Sequence, residues 1–181
     1  KLTQMNNYDA VLLLSFGGPD SPKDVMPFLR NVVRGRNVPE TRLRAIADRY
    51  LQFEGKSPIN KENSALIRAM RSAIPELPIY WGNRNWHPLV SEALSEMSEA
   101  GVKRAIAFTT SAYSSYSGCR QYLEDIESAR ATLGNQAPII DKIPPFFKHI
   151  KFIDAVRSRL QQVLSNKSTN HPHLLFTAHS L

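Results

Sequence analysis

The sequence predicts an α/β protein built on a doubly wound parallel sheet with flanking helices. Short, continuous apolar runs, which are typical of strands buried on both faces, alternate with longer segments whose apolar residues recur at helical spacing. Glycine or proline stands between most of these segments and marks the turns. Five predicted strands alternate with helices in this way, and that order favours a parallel sheet.

The first strand is predicted over residues 8–16, where the apolar run is ended by the tight-turn sequence GGP at residues 17–19. A helix follows from the sequence SPKD at residues 21–24. Serine caps a helix, proline suits its first position, and an acidic residue three places after the serine completes the pattern of a capping box. This helix is predicted to fade before Gly35.

Two further helices and a strand come next. A second helical pattern opens at Pro39 and is closed by Gly55, and a third helix is predicted over residues 64–74. The short apolar run at residues 78–81 indicates the second strand. The polar sequence GNRN at residues 82–85 then forms the loop that leaves the carboxyl end of this strand.

The middle of the chain continues the alternation. A return helix is predicted to start at Pro88 and to end at Gly101, with glutamates on the face opposite its apolar residues, which indicates a solvated face. The third strand is predicted over residues 104–110. A hydroxyl-rich loop over residues 111–117 and a helix over residues 119–133 follow it.

The last part of the chain contains a fourth predicted strand at residues 137–143, a helix at residues 150–164 and a fifth strand that starts at Leu174 and carries His179 near its carboxyl end. In open parallel sheets, ligands bind beyond the carboxyl ends of the strands, so the loops after strands one, two, three and five are predicted to converge. A neutral imidazole there is able to accept a proton or to bind a metal. The alternative for His179 is a hydrogen-bonded structural residue.

The composition is that of one ordinary globular domain. The chain has 181 residues, 42% hydrophobic and 22% charged, and we expect a flexible segment at residues 1–7 before a domain at residues 8–181. No apolar run is long enough for a transmembrane segment, and the first residues lack the apolar core of a signal peptide, so the cytoplasm is the expected location. The single cysteine, Cys119, excludes an internal disulfide and fits a reducing compartment.

The net charge of +7 indicates an anionic partner, which is nucleic acid, phosphate or a small molecule with carboxylates. The basic residues are scattered and form no nucleic-acid-binding motif, so nucleic acid is not expected. The GGP turn is neither a GxGxxG nor a Walker loop, so no nucleotide is expected either. Four arginines near loops are suited to binding carboxylates, unless they are ordinary surface residues: Arg34, Arg36, Arg49 and Arg84.

Six sequence segments resemble, in order and spacing, the amino-terminal half of the ferrochelatase family. They are LLLSFGGP, VVRGR, RYLQFEGKSPIN, YWGNRNWHP, TSAYSSYSGCRQY and FTAHS. The resemblance covers nearly the whole chain from Tyr8 and is closest to the actinobacterial coproporphyrin ferrochelatases. It implies a Rossmann-like, chelatase-like domain that is the first of two similar domains, with the carboxyl-terminal catalytic half absent from this sequence.

The resemblance also implies a function. Members of this family insert ferrous iron, as a substrate, into a porphyrin in heme biosynthesis, and they need no nucleotide. Coproporphyrin III is favoured here over protoporphyrin IX. By position, His179 matches the family histidine that accepts pyrrole protons or binds the iron, and the isolated chain is expected to bind porphyrin without turnover.

Further residues take expected roles from the same resemblance. Arg49, Tyr50 and Ser57 fall where propionates are held, and Arg34 matches a basic residue of a helix that borders the pocket. Two alternatives to iron insertion stay open. One is a non-catalytic tetrapyrrole or anion-binding module of the same fold, and the other is a chelatase for another divalent metal.

The opposite wall of the pocket is expected to contain Ser115 and Tyr116, which resemble hydroxyl-bearing residues of the family. Phe16 departs from the tyrosine of several relatives, so it is unable to ligate iron, although its ring suits stacking on the macrocycle. Cys119 resembles a cysteine that in some relatives joins a [2Fe–2S] cluster with cysteines outside this chain. The alternative to this cluster role is that Cys119 is an inert cysteine at a helix start.

Overall fold

Four parallel strands form the central sheet of the computed structural model, which describes residues 7–165 and 172–177, and only the backbone of residues 117–119. The strands are β1 (Ala10–Ser15), β2 (Ile79–Asn83), β3 (Arg104–Thr109) and β4 (Ile139–Lys142), in the spatial order β2-β1-β3-β4. All neighbouring pairs are parallel. The predicted α/β class with a parallel sheet is therefore confirmed.

β1 lies between β2 and β3, and all six of its residues are buried. This explains why its sequence is a continuous apolar run rather than an alternating one, since both faces of the strand meet covering helices. Leu12 and Leu14 point to one face of the sheet, and Leu13 points to the other. The strand ends at Ser15, which is also fully buried.

The described residues also form six helices. They are α1 (Pro22–Val32), α2 (Glu40–Leu51), α3 (Ile59–Ala73), α4 (Val90–Glu99), α5 (Tyr122–Leu133) and α6 (Ile150–Ser165). A π-helical turn, Tyr116–Gln121, runs directly into α5, and a short 3-10 turn, Gly134–Gln136, follows α5. None of the helices in the described residues is both long and apolar enough to cross a bilayer.

The two faces of the sheet carry different layers. α4 and α5 cover one face through a core that includes Leu94, Met97 and Ile126. α3 covers the other face through Ile67. α1 and α2 form a separate cluster around Phe28, next to the carboxyl end of β1. Burial of these apolar side chains is the main force that holds the layers together.

Two helix starts differ from the sequence prediction in detail. α1 begins at Pro22 as predicted, but the Ser21 hydroxyl donates to Asp24 Oδ2 at 2.5 Å and makes no side-chain hydrogen bond to the helix backbone. α3 begins at Ile59, five residues before the predicted start. The buried residues of its first turns are Asn60 and Asn63. Because both are polar, the spacing of apolar residues does not reveal these turns.

The predicted fifth strand is wrong for the part of it that the structure describes. Residues 172–177 have no regular secondary structure, and Leu175 and Phe176 are 88% and 83% exposed. An apolar run forms a buried strand only where a sheet edge and covering elements receive it, and this exposure shows that no described element covers the run. His179 and most of the predicted segment 1–7 lie outside the described residues.

Candidate functional site

Two glycines after β1 allow close approach of two neighbouring segments, the end of β2 and the loop between α2 and α3. Gly17 has a φ of +79°, and a Cβ atom on it would lie 2.8 Å from Asn83 Cβ. A Cβ atom on Gly18 would lie 2.5 Å from Ser57 Cβ. Side chains at these positions would separate the loops, so the GGP turn serves close backbone approach here.

Backbone hydrogen bonds join the loop after β2 to the loop after β1. The Arg84 N–H donates to the Ser15 carbonyl at 3.0 Å, and the Asn85 N–H donates to the Phe16 carbonyl at 3.2 Å. The Asn85 side chain also donates to the Phe16 carbonyl at 3.2 Å, and Asn31 of α1 donates to the Asn85 carbonyl at 3.1 Å. The predicted convergence of these two loops is thus observed.

A cleft of about 750 Å³ opens beside these loops, between the end of α2 and the start of α3. Its lining combines hydroxyls, cations and apolar surface: Asp20, Arg49, Tyr50, Phe53, Lys56, Ser57, Pro58 and Lys61. All three residues predicted to hold propionates, Arg49, Tyr50 and Ser57, therefore lie in one cleft.

The loop between α2 and α3 is held in place from two sides. Gly55 has a φ of +66°, and a Cβ atom on it would lie 2.6 Å from Pro22 Cα, so this position requires glycine for both reasons. The Ser57 N–H donates to the Pro19 carbonyl at 2.9 Å. The cleft wall that carries Ser57 is therefore packed directly against the turn after β1.

The charges around the cleft favour an anion. Three cations, Arg49, Lys56 and Lys61, face a single carboxylate, Asp20, which already accepts a hydrogen bond from the Asn60 side chain at 2.9 Å. Lys56 makes only an exposed, 3.6 Å ion pair with Glu54. A carboxylate of a ligand would find hydrogen-bond donors here on a partly apolar surface.

Tyr50 links the cleft to an aromatic cluster. Burial raises the pKa of the Tyr50 phenol above its ordinary value of 10.0. The hydroxyl is therefore a hydrogen-bond donor at neutral pH, as an unshifted phenol would be. The Phe28 ring contacts the rings of Tyr50, Phe16 and Trp86 edge to face, with centroids 6.0, 6.1 and 6.5 Å apart. Phe16 is partly exposed beside this cluster, where its ring is accessible to a planar ligand.

Arg34 lies apart from the cleft. It lines a smaller cavity of about 190 Å³ with Arg84 and Asp125, and its guanidinium donates to the Asn31 side chain at 2.8 Å. Its predicted role at the pocket border stays a prediction. A sequence position on a neighbouring helix end does not determine the cavity into which a long side chain extends.

Ser115 and Tyr116 lie on the other side of the sheet's carboxyl edge, where the loop after β3 enters the π-helical turn. Tyr116 is exposed, and its hydroxyl donates to Glu124 Oε1 at 3.3 Å. The Cys119 side chain and His179 lie outside the described residues. Among the side chains that the structure does describe, no three histidine, cysteine or acidic residues form a metal-binding group.

Five lining residues of the cleft were not predicted as site residues from the sequence: Asp20, Phe53, Lys56, Pro58 and Lys61. Lys56 and Lys61 flank the Ser57-Pro58 pair, one before it and one in the first turn of α3. Identifying Lys61 required the true start of α3 at Ile59, which places the Lys61 side chain one turn from Ser57.

A parallel sheet with helices on both faces and a ligand-sized cleft beyond the carboxyl ends of its strands is typical of doubly wound α/β proteins that bind small molecules. The ferrochelatase family model matches residues 8–181. The chain therefore belongs to the ferrochelatase family, and the resemblance found in the sequence is confirmed.

The chain is 50% identical over 178 residues to the coproporphyrin III ferrochelatase of Frankia alni, a match that covers 96% of this chain and 46% of that protein. It is 49% identical over 181 residues to the coproporphyrin III ferrochelatase of Nocardia farcinica, covering 96% and 51%. It is 45% identical over 186 residues to the ferrochelatase of Rhodopirellula baltica, covering 99% and 53%. The chain spans about half the length of the curated relatives it matches.

Proposed function

We propose that this chain forms the amino-terminal half of a cytoplasmic enzyme that inserts ferrous iron into coproporphyrin III in heme biosynthesis. The observation that carries the proposal is the cleft in which Arg49, Tyr50 and Ser57 meet two lysines on a partly apolar surface. The substrate has complementary chemistry, because it is a flat apolar macrocycle with four propionates. The names of the actinobacterial relatives support the same substrate.

Each propionate contact has a physical role. The Arg49 guanidinium offers parallel donors to a carboxylate, and the Tyr50 and Ser57 hydroxyls each offer one more. The ring of Phe16 supplies a face for stacking on the macrocycle. Ser115 and Tyr116 form the opposite wall, and Arg34 adds positive charge at the border of the site. Charge-assisted contacts of this kind orient the macrocycle before the reaction.

Metal insertion replaces two pyrrole N–H bonds by bonds from nitrogen to ferrous iron and releases two protons. His179 is proposed to accept these protons or to bind the incoming iron, since a neutral imidazole has both capacities near neutral pH. A carboxyl-terminal half, which the greater length of the relatives supports, is proposed to supply a carboxylate as its partner. The iron is a substrate in this scheme, and no nucleotide takes part.

Cys119 is proposed as one ligand of a [2Fe–2S] cluster that needs cysteines outside this chain. Such clusters are held by four thiolates, and the chain contains a single cysteine, so these residues alone do not fit the cluster. No step of the proposed reaction depends on it.

The test is a titration of the chain with coproporphyrin III and with protoporphyrin IX, followed through the porphyrin Soret band. We expect a shift with both and tighter binding of coproporphyrin III, whose two additional carboxylates use the cationic rim. Absence of a shift with either porphyrin would reject the proposal, and tighter binding of protoporphyrin IX would reject the substrate assignment.

Matched arginine variants on α2 locate the binding site. Arg49→Gln is expected to weaken coproporphyrin binding at least about tenfold, because a charge-assisted hydrogen bond contributes about 1.5–3 kcal/mol. Arg44→Gln, an exposed position on the same helix outside the cleft lining, is the control and is expected to bind like the wild type. Equal coproporphyrin affinities in the two variants would show that the binding site does not lie in this cleft.

A second measurement separates the enzyme from a binding module. In the full-length protein, His179→Ala is expected to abolish iron insertion and to leave porphyrin affinity unchanged. Turnover near the wild-type rate would remove His179 from the mechanism. Porphyrin binding by a wild-type full-length protein that inserts no divalent metal would favour the non-catalytic module, and a preference for a metal other than iron would favour another chelatase.

A further inference from the structure

We propose that Arg84 is a positioning residue that sets the distance between the two walls of the porphyrin site. Its backbone belongs to the wall that carries Phe16, and its guanidinium holds the helical segment that carries Tyr116. This inference rests on the proposed function, because only that function makes the two walls parts of one substrate site.

The guanidinium of Arg84 has three partners on the opposite segment. Its Nε donates to Asp125 Oδ2 at 2.6 Å, its Nη1 donates to Gln121 Oε1 at 2.5 Å, and its central carbon lies 5.6 Å from the centre of the Tyr122 ring. The Arg84 side chain is only 16% exposed. Screening by water is therefore weak, and the charge-assisted contacts are stronger than those of a surface pair.

The other end of the same residue is equally constrained. The Arg84 N–H donates to the carbonyl of Ser15 at the end of β1, and the next residue, Asn85, makes two hydrogen bonds to the Phe16 carbonyl. The side chain therefore extends from a loop that is fixed to the core of the sheet. A long side chain with both ends held in this way fixes the distance between two elements. We call this role of Arg84 a strut.

The held segment is one that needs external support. Gln121 ends the π-helical turn, and Asp125 lies in the first turn of α5. A π-helical turn contains one residue more per turn than the α-helix and is found mainly where tertiary contacts or function maintain it. Relaxation to α-helical geometry would rotate the residues before Gln121 by about 100° about the axis, so the Tyr116 side chain would leave its wall.

Lysine would be a poor substitute at this position. A lysine ammonium is a point donor, whereas the planar guanidinium reaches Asp125 and Gln121 in one plane while it lies near the Tyr122 ring. This difference separates a strut from a simple positive charge. If Arg84 acted only by attracting an anionic substrate, lysine would preserve most of its effect.

The test uses Arg84→Lys, Arg84→Gln and Gln121→Met in the full-length protein. The control is Arg104→Gln, which removes an arginine with the same 2.6 Å contact from Nε to an aspartate and the same 5.6 Å distance to a tyrosine ring, at the opposite end of the sheet. We expect all three test variants to raise KM for coproporphyrin III about tenfold, with a smaller change in kcat. The control is expected to match the wild type.

Amide hydrogen exchange provides a readout that does not depend on porphyrin. We expect faster exchange in residues 116–121 for the three test variants and unchanged exchange there for Arg104→Gln. Gln121→Met keeps the partly buried Arg84–Asp125 pair and so tests the strut even if Arg84→Gln fails to fold.

Three results would overturn the proposal. They are wild-type KM in both Gln121→Met and Arg84→Lys, unchanged exchange in the π-helical turn, and loss of kcat with unchanged KM, which would place Arg84 among the reacting groups instead. A wild-type protein that binds no porphyrin would reject the proposed function, and the hydrogen exchange would still decide whether Arg84 holds the turn.

Discussion

The two ends of the sheet contain arginine–aspartate pairs of the same geometry in different surroundings. Arg84 contacts Asp125 beyond the carboxyl ends of the strands, and Arg104 contacts Asp141 at the amino ends, each from Nε to Oδ2 at 2.6 Å. Each guanidinium also lies 5.6 Å from a tyrosine ring centre. The side chains are 16% and 31% exposed in the first pair and 45% and 39% in the second.

The difference shows that contact geometry alone does not decide what such a pair contributes. At the amino end, water screens the pair, and Asp141 and Arg104 lie on neighbouring strands that the sheet already holds together. At the carboxyl end, the pair joins a loop to a helix that has no strand ladder to hold it. The structural role therefore falls on the less exposed pair, which lies beyond the carboxyl ends of the strands.

The largest contrast is expected between two glycines. A Cβ atom on Gly18 would lie 2.5 Å from Ser57 Cβ, whereas one on Gly101, which precedes β3 at the amino end, would meet nothing within 4 Å. We expect Gly18→Ala to lower the free energy of unfolding by about 3 kcal/mol, the upper end of overpacking effects, and to weaken coproporphyrin binding. Urea unfolding and Soret titration measure both.

Gly101→Ala is the matched control for this change. It should cost only about 1 kcal/mol, because the position has a φ of +78° that alanine adopts with strain. A larger loss in Gly101→Ala than in Gly18→Ala would show that crowding does not distinguish the carboxyl end from the amino end.

The aspartates of the two pairs provide the next contrast. Asp125→Ala leaves the largely buried Arg84 without its carboxylate, and we expect a loss of about 2 kcal/mol, less than for a fully buried pair because Asp125 is partly exposed. Asp141→Ala removes a screened contact and is expected to leave the urea midpoint close to that of the wild type. Equal midpoints in the two variants would contradict the comparison.

Alkaline unfolding is a smaller effect and tests the carboxyl end. Burial raises the pKa of Tyr122 above its ordinary value of 10.0, so the folded state keeps the phenol proton longer than the unfolded state. The resulting stability is present below pH 10 and is lost as the pH rises further. Between about pH 9 and pH 11, Tyr122→Phe should reduce the fall in unfolding free energy. An unchanged slope would argue against a buried phenol here.

Acid unfolding is expected to give the smallest effect and tests the amino end. The backbone N–H groups of Arg104 and Lys103 donate to Asp9 at 2.9 Å and hold the pKa of its carboxyl below the ordinary value of 3.8. This stability is present above the unfolded-state pKa and is lost as the pH falls through the folded-state pKa. We expect Asp9→Asn to flatten the acid limb of the curve of unfolding free energy against pH.

Tyr122→Phe serves as the control for that experiment, since it should alter only the alkaline limb of the curve. An acid limb that is the same in Asp9→Asn and in the wild type would show that these two backbone hydrogen bonds contribute nothing measurable at the amino end.

Most of the sheet and its helices follow from local signals. The buried run of β1, the GGP turn after it and the glycine stop at Gly101 each depend on residues close in sequence, so the pattern predicts them. The start of α3 does not follow, because buried Asn60 and Asn63 carry no apolar signal. The residues at 174–176 are as apolar as those of β1, yet they stay exposed because burial depends on covering elements.

The sequence by itself therefore determined the parallel α/β class, the family and three residues of the cleft, since apolar periodicity, turn residues and family motifs are all local. Only the tertiary structure decided that Asp20, Lys56 and Lys61 also line the cleft and which arginine holds the π-helical turn. Arg84 meets Gln121 and Asp125 across 37 and 41 residues of chain. Partners at such separations are selected by packing and burial, and no local pattern encodes them.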